Sequence, residues 1–458
     1  MNVTTERIDV QNVIDGNPIS RLQMRVILLC FLVVFLDGYD TAVIGFVAPA
    51  LAKAWSVPPP ALKPLLSAAL FGLAAGALAA GPLADRIGRK VVLVISVALF
   101  GGLTLLSAFA TDLTQLTILR FLTGLGLGAA MPNATTLTAE YCPARHRSFL
   151  VTVMFCGFTL GSAGGGFLGG FLIPAYGWQS AFWVGGLAPL ALAAALITLL
   201  PESVQFLVVR RGGGMRVAGI LRRLAPGRAV TGDAVFVTPD LGAAQARSSL
   251  GSLFQNGLAA GTACLWLTYF MGLLVIFLLR SWLPTLVTGA GLSLERAAML
   301  GGAFELGGTV GALLVAWCMD RFGAHRAIAL SYLLGAVTVC VVAYLVAAPL
   351  LLAPAIFMAG FFLSGSQTSL SPLAAAFYPT HARATGVAWM LGMGRFGGIL
   401  GALSGGVLLG LGWDFQAILT ALAVPALGAA AAIWFKGRWR GREIGGGQQT
   451  AGLQLGHG

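Results

Sequence analysis

The sequence contains Gly76-Ala-Leu-Ala-Ala-Gly81-Pro-Leu-Ala-Asp85-Arg86-Ile-Gly88-Arg89-Lys90, and 235 residues later it contains the similar Gly311-Ala-Leu-Leu-Val-Ala-Trp-Cys-Met-Asp320-Arg321-Phe-Gly323-Ala-His325-Arg326. In both copies an apolar run ends in Asp-Arg, an apolar residue and a glycine, and basic residues follow. Glycine permits a tight turn at such a place. The repeat predicts that the chain consists of two similar halves.

The rest of the chain is strongly apolar. Of its 458 residues, 57% are hydrophobic and 10% are charged, and the mean hydropathy is +0.87. Because about 20 apolar residues cross a bilayer as a helix, this composition predicts an all-α integral membrane protein with twelve transmembrane helices in two pseudo-symmetric six-helix halves. The predicted spans are 24–50, 61–82, 90–110, 113–137, 148–173, 178–200, 256–286, 298–318, 327–346, 350–372, 384–411 and 414–435.

The basic residues lie mainly on one side of this arrangement. The segments and span ends on the side of the two termini hold 22 of the 28 Lys and Arg residues, and the loops and span ends on the opposite side hold three. Since cytoplasmic loops carry the excess of Lys and Arg, both termini are predicted to be cytoplasmic in a multi-pass protein of the inner (plasma) membrane. This rule also explains the net charge of +12, so no nucleic-acid partner is expected.

The predicted domains follow from the spans. They are a cytoplasmic N-terminal segment 1–23, a six-helix half 24–200, a basic cytoplasmic linker 201–255, a second six-helix half 256–435 and a cytoplasmic tail 436–458. The sequence has no CxxC pair, phosphate-binding loop, metal-ligand cluster or Ser/His/Asp layout, so no enzyme activity, cofactor or metal ion is expected. The protein is expected to be a monomer in the lipid bilayer.

Two acids lie near the middle of the first span. Asp37 and Asp40 are three residues apart and therefore share a helix face. A charge at that depth costs about 2.5–3.5 kcal/mol on insertion scales. Such a pair predicts a functional site, and proton coupling is the role we expect for it.

Three arginines also lie well inside predicted spans, away from their cytoplasmic ends. Arg120 and Asp40 lie about 10 and 15 Å inside the same end of their spans at 1.5 Å per residue, so they are at compatible depths for a charge pair. The alternative to a functional role is a static ion pair of Arg120 and Asp40 that only holds the two helices together. Arg395, flanked by glycines, is predicted to bind the carboxylate of an anionic substrate, because a guanidinium binds a carboxylate at two points; the alternative is a pair with Glu305. Arg280 is expected near the outer interface, with its charged end in water.

The repeated loops and the end of span four carry the predicted gating residues. Their charges are suited to pair with acids or helix ends on a neighbouring element and so to hold one state of a transport cycle. The alternative is an ordinary basic loop for the repeat, and a loop ion pair or a solvated acid for Glu140. The predicted gating residues are Gly81, Asp85, Arg86, Gly88, Arg89, Glu140, Asp320, Arg321 and His325.

Several motifs together resemble the aromatic acid:proton symporters of the major facilitator superfamily over about residues 20–435. They are Asp37-Gly38-Tyr39-Asp40, Gly81–Lys90, Arg120-Phe-Leu-Thr-Gly124-Leu-Gly126, Tyr269-Phe-Met-Gly-Leu-Leu and Ser281-Trp-Leu-Pro284. The resemblance implies a substrate site between two halves at mid-membrane. It also implies that transport needs Asp37, Asp40, Asp85, Arg120, Glu140, His325 and Arg395.

The predicted function is import of an aromatic carboxylate of the hydroxybenzoate or benzoate class with protons, by alternating access. The predicted substrate-binding residues are Arg120, Arg395, Tyr39 and Glu305. Gly161-Ser162 stands where facilitator antiporters usually have Gly-Pro, which favours symport. Two alternatives stay open, a symporter for a non-aromatic anion such as muconate or a dicarboxylate, and a membrane sensor of aromatic acids. The sequence leaves open which aspartate carries the proton.

Overall fold

The structure is a computed structural model, and it describes residues 7–209, 214–225, 235–237, 253–255, 258–346, 348–378 and 383–453. Twelve helices in these ranges are long and apolar enough to cross a membrane, which confirms the predicted count. The contacts divide the chain into two compact units, Met1–Pro58 with Pro64–Ala246, and Pro59–Lys63 with Arg247–Gly458.

The first unit is built mainly from six long helices. A short helix, α1 (Val10–Asp15), precedes them, and two further short helices, α8 (Val204–Val209) and α9 (Gly214–Leu224), follow them. A 3-10 turn at Pro59–Leu62, which belongs to the second unit, directly precedes α3 in the chain. The long helices are α2 (Arg21–Ala54), α3 (Lys63–Ile87), α4 (Arg89–Ser107), α5 (Leu113–Tyr141), α6 (Arg147–Tyr176) and α7 (Gln179–Leu199).

Small residues allow the helices of this unit to approach closely, as is usual in membrane bundles. Helix α2 packs most extensively on α6. A Cβ atom added to Gly38 would clash with the backbone of Phe158 in α6. Ser162 of α6 donates a 2.9 Å hydrogen bond to the Gly38 carbonyl. These contacts set the rotation of α2 and hence the directions in which Asp37, Tyr39 and Asp40 point.

The second unit holds the other six long helices. Helix α11 packs on α13, α10 on α14, and α12 on both α13 and α15. The helices are α10 (Leu258–Gly289), α11 (Leu294–Phe322), α12 (Ala324–Tyr344), α13 (Pro349–Phe377), α14 (Arg383–Gly410) and α15 (Phe415–Leu453).

The repeated stretches form the same turn in the two units. Gly88 separates α3 from α4 with φ +103°, and Gly323 separates α11 from α12 with φ +89°. L side chains rarely adopt this backbone region, so glycine is required at both turns.

The predicted linker and N-terminal segment have structure of their own. Strand β1 (Arg7–Asp9) pairs in parallel with β2 (Val235–Val237). Helix α9 is amphipathic, with Val217, Ala218, Leu221 and Leu224 buried, and it packs on α1, α2 and α8.

Candidate functional site

Asp40 and Arg120 form a fully buried ion pair between α2 and α5. Each side chain has 0% of its surface exposed. Asp40 Oδ2 accepts from Arg120 Nη2 at 2.5 Å, and Oδ1 accepts from Nη1 at 3.1 Å. Thr104 of α4 donates to the same Oδ1 at 2.5 Å. Both carboxylate oxygens are therefore held by donors from two other helices.

Asp37 lies on the same side of α2 but has different surroundings. It is 1% exposed, and its Oδ1 accepts from the Thr41 hydroxyl at 3.3 Å. A hydroxyl is both a donor and an acceptor, so Thr41 can remain bonded to Asp37 in either protonation state. The two acids therefore differ in their hydrogen-bond donors: Asp40 accepts from a guanidinium and a hydroxyl of two other helices, and Asp37 accepts from a hydroxyl of its own helix.

Tyr39 lies between these acids and points away from them. It is 3% exposed, and its hydroxyl donates to the Ala181 carbonyl of α7 at 2.9 Å. Its ring lies where a side chain on Gly185 would clash. The prediction that Tyr39 binds substrate finds no support in this geometry, because both the ring and the hydroxyl are occupied in joining α2 to α7.

Arg280 and Glu305 form a second buried ion pair, between α10 and α11. Arg280 Nε donates to Glu305 Oε1 at 2.6 Å, and Nη2 donates to Oε2 at 2.7 Å. Arg280 is 9% exposed and Glu305 is 1% exposed. The expectation that the charge of Arg280 reaches water is therefore wrong: a carboxylate in the neighbouring helix offsets it within the bundle. The carboxylate of Glu305 thus has Arg280 as its partner, where the sequence suggested Arg395 as an alternative. That Glu305 binds substrate stays a prediction.

Arg395 in α14 is half-buried and lies beside a polar cluster. The preceding glycine, Gly394, packs on the ring of Tyr269 in α10, and Arg395 interacts electrostatically with Tyr269. Gln367 of α13 donates to the Tyr269 carbonyl at 3.2 Å and accepts from the Tyr332 hydroxyl at 2.6 Å. Neither Gln367 nor Tyr332 belongs to a motif that marks it in the sequence, but a glutamine within an apolar span is a signal that could have identified Gln367.

Glu140 is part of a network at the α3–α4 turn of the first unit. Its Oε1 lies 3.1 Å from Arg89 Nε, and its Oε2 accepts from the Ser203 hydroxyl. The neighbouring Glu202 accepts from the backbone N–H of Lys90 at 2.9 Å. Arg89 thus meets an acid of α5, and the backbone of Lys90 meets an acid of the segment after α7. Glu202 and Ser203 were missed because they lie far along the chain from the motif.

The other predicted gating residues have varied surroundings. In the second unit, Asp320 and Arg321 are exposed, and Arg321 lies 5.5 Å from the centroid of the Trp317 ring. His325 Nε2 lies 3.1 Å from Lys436 Nζ. In the first unit, Gly81 and Arg86 are exposed, and the side chain of Asp85 lies outside the described residues.

Comparison with known proteins identifies the group to which this arrangement belongs. The sequence profile of the Major Facilitator Superfamily matches residues 30–402 and 265–452. The 4-hydroxybenzoate transporter PcaK of Pseudomonas aeruginosa is 53% identical over 432 residues, which cover 94% of this chain and 96% of that protein. The gallate transporter of Pseudomonas putida is 48% identical over 433 residues and has the same coverage of 94% and 96%.

A solved structure has the same fold. The xylose transporter XylE from E. coli, in a partially occluded inward open conformation, superposes with a TM-score of 0.71 and covers 91% of this chain and 98% of that one. At 19% identity this likeness shows the fold alone. The family profile and the relatives above show that the chain belongs to the major facilitator superfamily and, within it, to the aromatic acid transporters.

Proposed function

We propose that this protein imports an aromatic carboxylate of the hydroxybenzoate class together with protons, by alternating access. The observation that carries the proposal is the pair of buried acids in α2, of which one is bound by Arg120 and the other by a hydroxyl. Ionisable residues buried in a membrane helix cost free energy, so they are rare and usually mark a functional site. The named substrates of the two relatives, 4-hydroxybenzoate and gallate, support an aromatic acid as the cargo.

Asp37 is the proton carrier, and Asp40 stays ionised. Three donor contacts converge on the two oxygens of Asp40. A proton on either oxygen would remove an acceptor and leave the buried guanidinium of Arg120 without full compensation, which is costly. Asp37 keeps its bond to Thr41 when protonated, because the hydroxyl accepts as well as donates.

Arg395 binds the substrate carboxylate. Arg120 and Arg280 are buried, and each is held at two points by a protein carboxylate. Arg395 is more accessible than either, and its neighbour Gly394 packs on the Tyr269 ring, so a flat aromatic acid would meet both a charge and an aromatic face. A guanidinium donates two parallel hydrogen bonds to a carboxylate.

The network of Glu140, Arg89 and Ser203 works as part of the gate. Its members belong to three different chain segments that meet beside the Gly88 turn, so a shift of α4 relative to α5 would break the ion pair. The basic character of the segments on this side supports the assignment of both chain termini to the cytoplasm, and of the protein to the inner membrane.

Uptake by purified protein in proteoliposomes tests the proposal. Labelled 4-hydroxybenzoate is expected to accumulate when the outside is more acidic, and accumulation should disappear when a protonophore removes the gradient. Asp37→Asn should lose accumulation. Uptake that is indifferent to the gradient would refute proton coupling, and competition by muconate or a dicarboxylate but not by benzoate would favour a non-aromatic anion.

A further inference from the structure

Three arginines surround an open pocket in the first unit. Arg21 and Arg25 lie in the first turns of α2, and Arg223 lies in the last turn of α9. With Leu22, they line a cavity of about 430 Å³. All three arginines are exposed. Arg223 is about 200 positions from Arg21 and Arg25 in the sequence, and the packing of α9 on α2 brings it beside them.

Three acids of neighbouring described segments have other partners. Asp9 accepts the backbone N–H groups at the start of α1, Asp15 accepts from the Ala144 backbone at 2.7 Å, and Glu202 binds the Lys90 backbone. Within the described part of the chain, no ion pair joins Arg21, Arg25 or Arg223 to a carboxylate. The pocket therefore concentrates positive charge that no carboxylate of the described residues offsets, and it would attract an anion.

The surface of α2 beside the pocket is apolar. Arg21, Met24, Arg25 and Leu28 have the i, i+3, i+4, i+7 spacing of one helix face. Met24 is 53% exposed and Leu28 is 54% exposed, as expected for side chains that face lipid. At 1.5 Å per residue, Leu28 lies roughly 5–10 Å along the helix from the two arginines. Charge and apolar surface thus follow one another in the order of a phospholipid headgroup and its acyl chains.

We propose that this pocket binds the headgroup phosphate of an anionic phospholipid, whose acyl chains lie along Met24 and Leu28. Arginine is well suited to phosphate because its planar fork donates two hydrogen bonds at once. A free inorganic phosphate would satisfy the arginines but would leave the apolar face uncovered. The lipid bridges α2 and α9 and so holds α9 against the start of α2 within the first unit.

Thermal unfolding of the purified full-length protein in detergent tests this site. Phosphatidylglycerol should raise the melting temperature, and phosphatidylcholine and inorganic phosphate at equal concentration should not. The double variant Arg25→Gln/Arg223→Gln should bind phosphatidylglycerol roughly 30-fold more weakly, since each basic residue near an anionic membrane contributes about 1 kcal/mol, or about fivefold.

Arg216→Gln is the matched control. Arg216 is exposed on the same helix α9 but does not line the pocket, so this variant should keep the response to phosphatidylglycerol. Equal stabilisation by phosphatidylcholine, or an undiminished response in the double variant, would overturn the site. An equal shift with inorganic phosphate would overturn the lipid as its occupant. Native mass spectrometry reads out the same binding when a variant changes the melting temperature of the lipid-free protein.

Discussion

The two aspartates of α2 should respond differently to the same substitution. Asp40→Asn replaces a carboxylate oxygen with an NH₂ group, which would face the donors that now converge on Asp40 at 2.5–3.1 Å. It also leaves the fully buried Arg120 uncompensated. Removing one partner of a buried ion pair costs about 3–5 kcal/mol, so this variant should unfold at a clearly lower temperature.

Asp37→Asn should impair transport and leave stability almost unchanged. The asparagine oxygen can accept the Thr41 hydrogen bond in place of the carboxylate, so the stability loss should be about 1 kcal/mol or less, the size of one ordinary hydrogen bond. The variant should fold but fail to accumulate substrate on a pH gradient, because its side chain cannot carry a proton. It should still exchange internal for external substrate, since exchange returns the carrier fully loaded.

Thermal unfolding in detergent and two transport assays on the same preparations separate these outcomes. The assays are gradient-driven uptake and substrate exchange in proteoliposomes. Gradient-driven accumulation by Asp37→Asn, or a loss of stability as large as that of Asp40→Asn, would refute the proposed difference between the two aspartates. Arg120→Gln gives an internal check, because it removes the other partner of the pair and should be about as destabilising as Asp40→Asn.

Three further predictions concern the second unit and the turns. Glu305→Leu should lower the free energy of unfolding by about 3–5 kcal/mol because it leaves the buried Arg280 unpaired. The double variant Arg280→Met/Glu305→Leu should be nearly neutral, because it removes both charges. A double variant as unstable as Glu305→Leu in thermal unfolding would contradict the role of the ion pair. Arg395→Lys keeps the charge but loses the two-point contact, so the KM for 4-hydroxybenzoate should rise about 10- to 100-fold, the equivalent of a charged hydrogen bond of about 1.5–3 kcal/mol, and an unchanged KM would count against carboxylate binding there. Gly88→Ala should cost more stability than Gly323→Ala. Both substitutions force a side chain into a positive-φ conformation, at about 1–3 kcal/mol, but the added Cβ meets the carboxylate of Glu202 at Gly88 and nothing within 4 Å at Gly323. Equal melting temperatures of the two variants would rule out a contribution from the Glu202 contact.

The partners of the intramembrane charges show where sequence reasoning reaches its limit. Depth along a helix follows from counting residues, and it placed Arg120 and Asp40 at compatible levels. Rotation about the helix axis does not follow from counting. For Arg280 the same counting failed, because its depth was taken as a sign of contact with water when α11 offers it Glu305.

Local properties of the sequence determined the fold class of this protein. Span length, hydropathy and the two turn glycines act within a few residues. Together with the 235-residue repeat, which is visible by comparing the two stretches, they specified twelve helices, two related halves and an acid pair within the first span. The tertiary structure alone decided which groups meet: Arg120 with Asp40, Arg280 with Glu305, Arg89 with Glu140, and Arg223 with the start of α2. The physical reason is that helix rotation is set by the packing of small residues, such as Gly38 against α6, on partners far away in the chain.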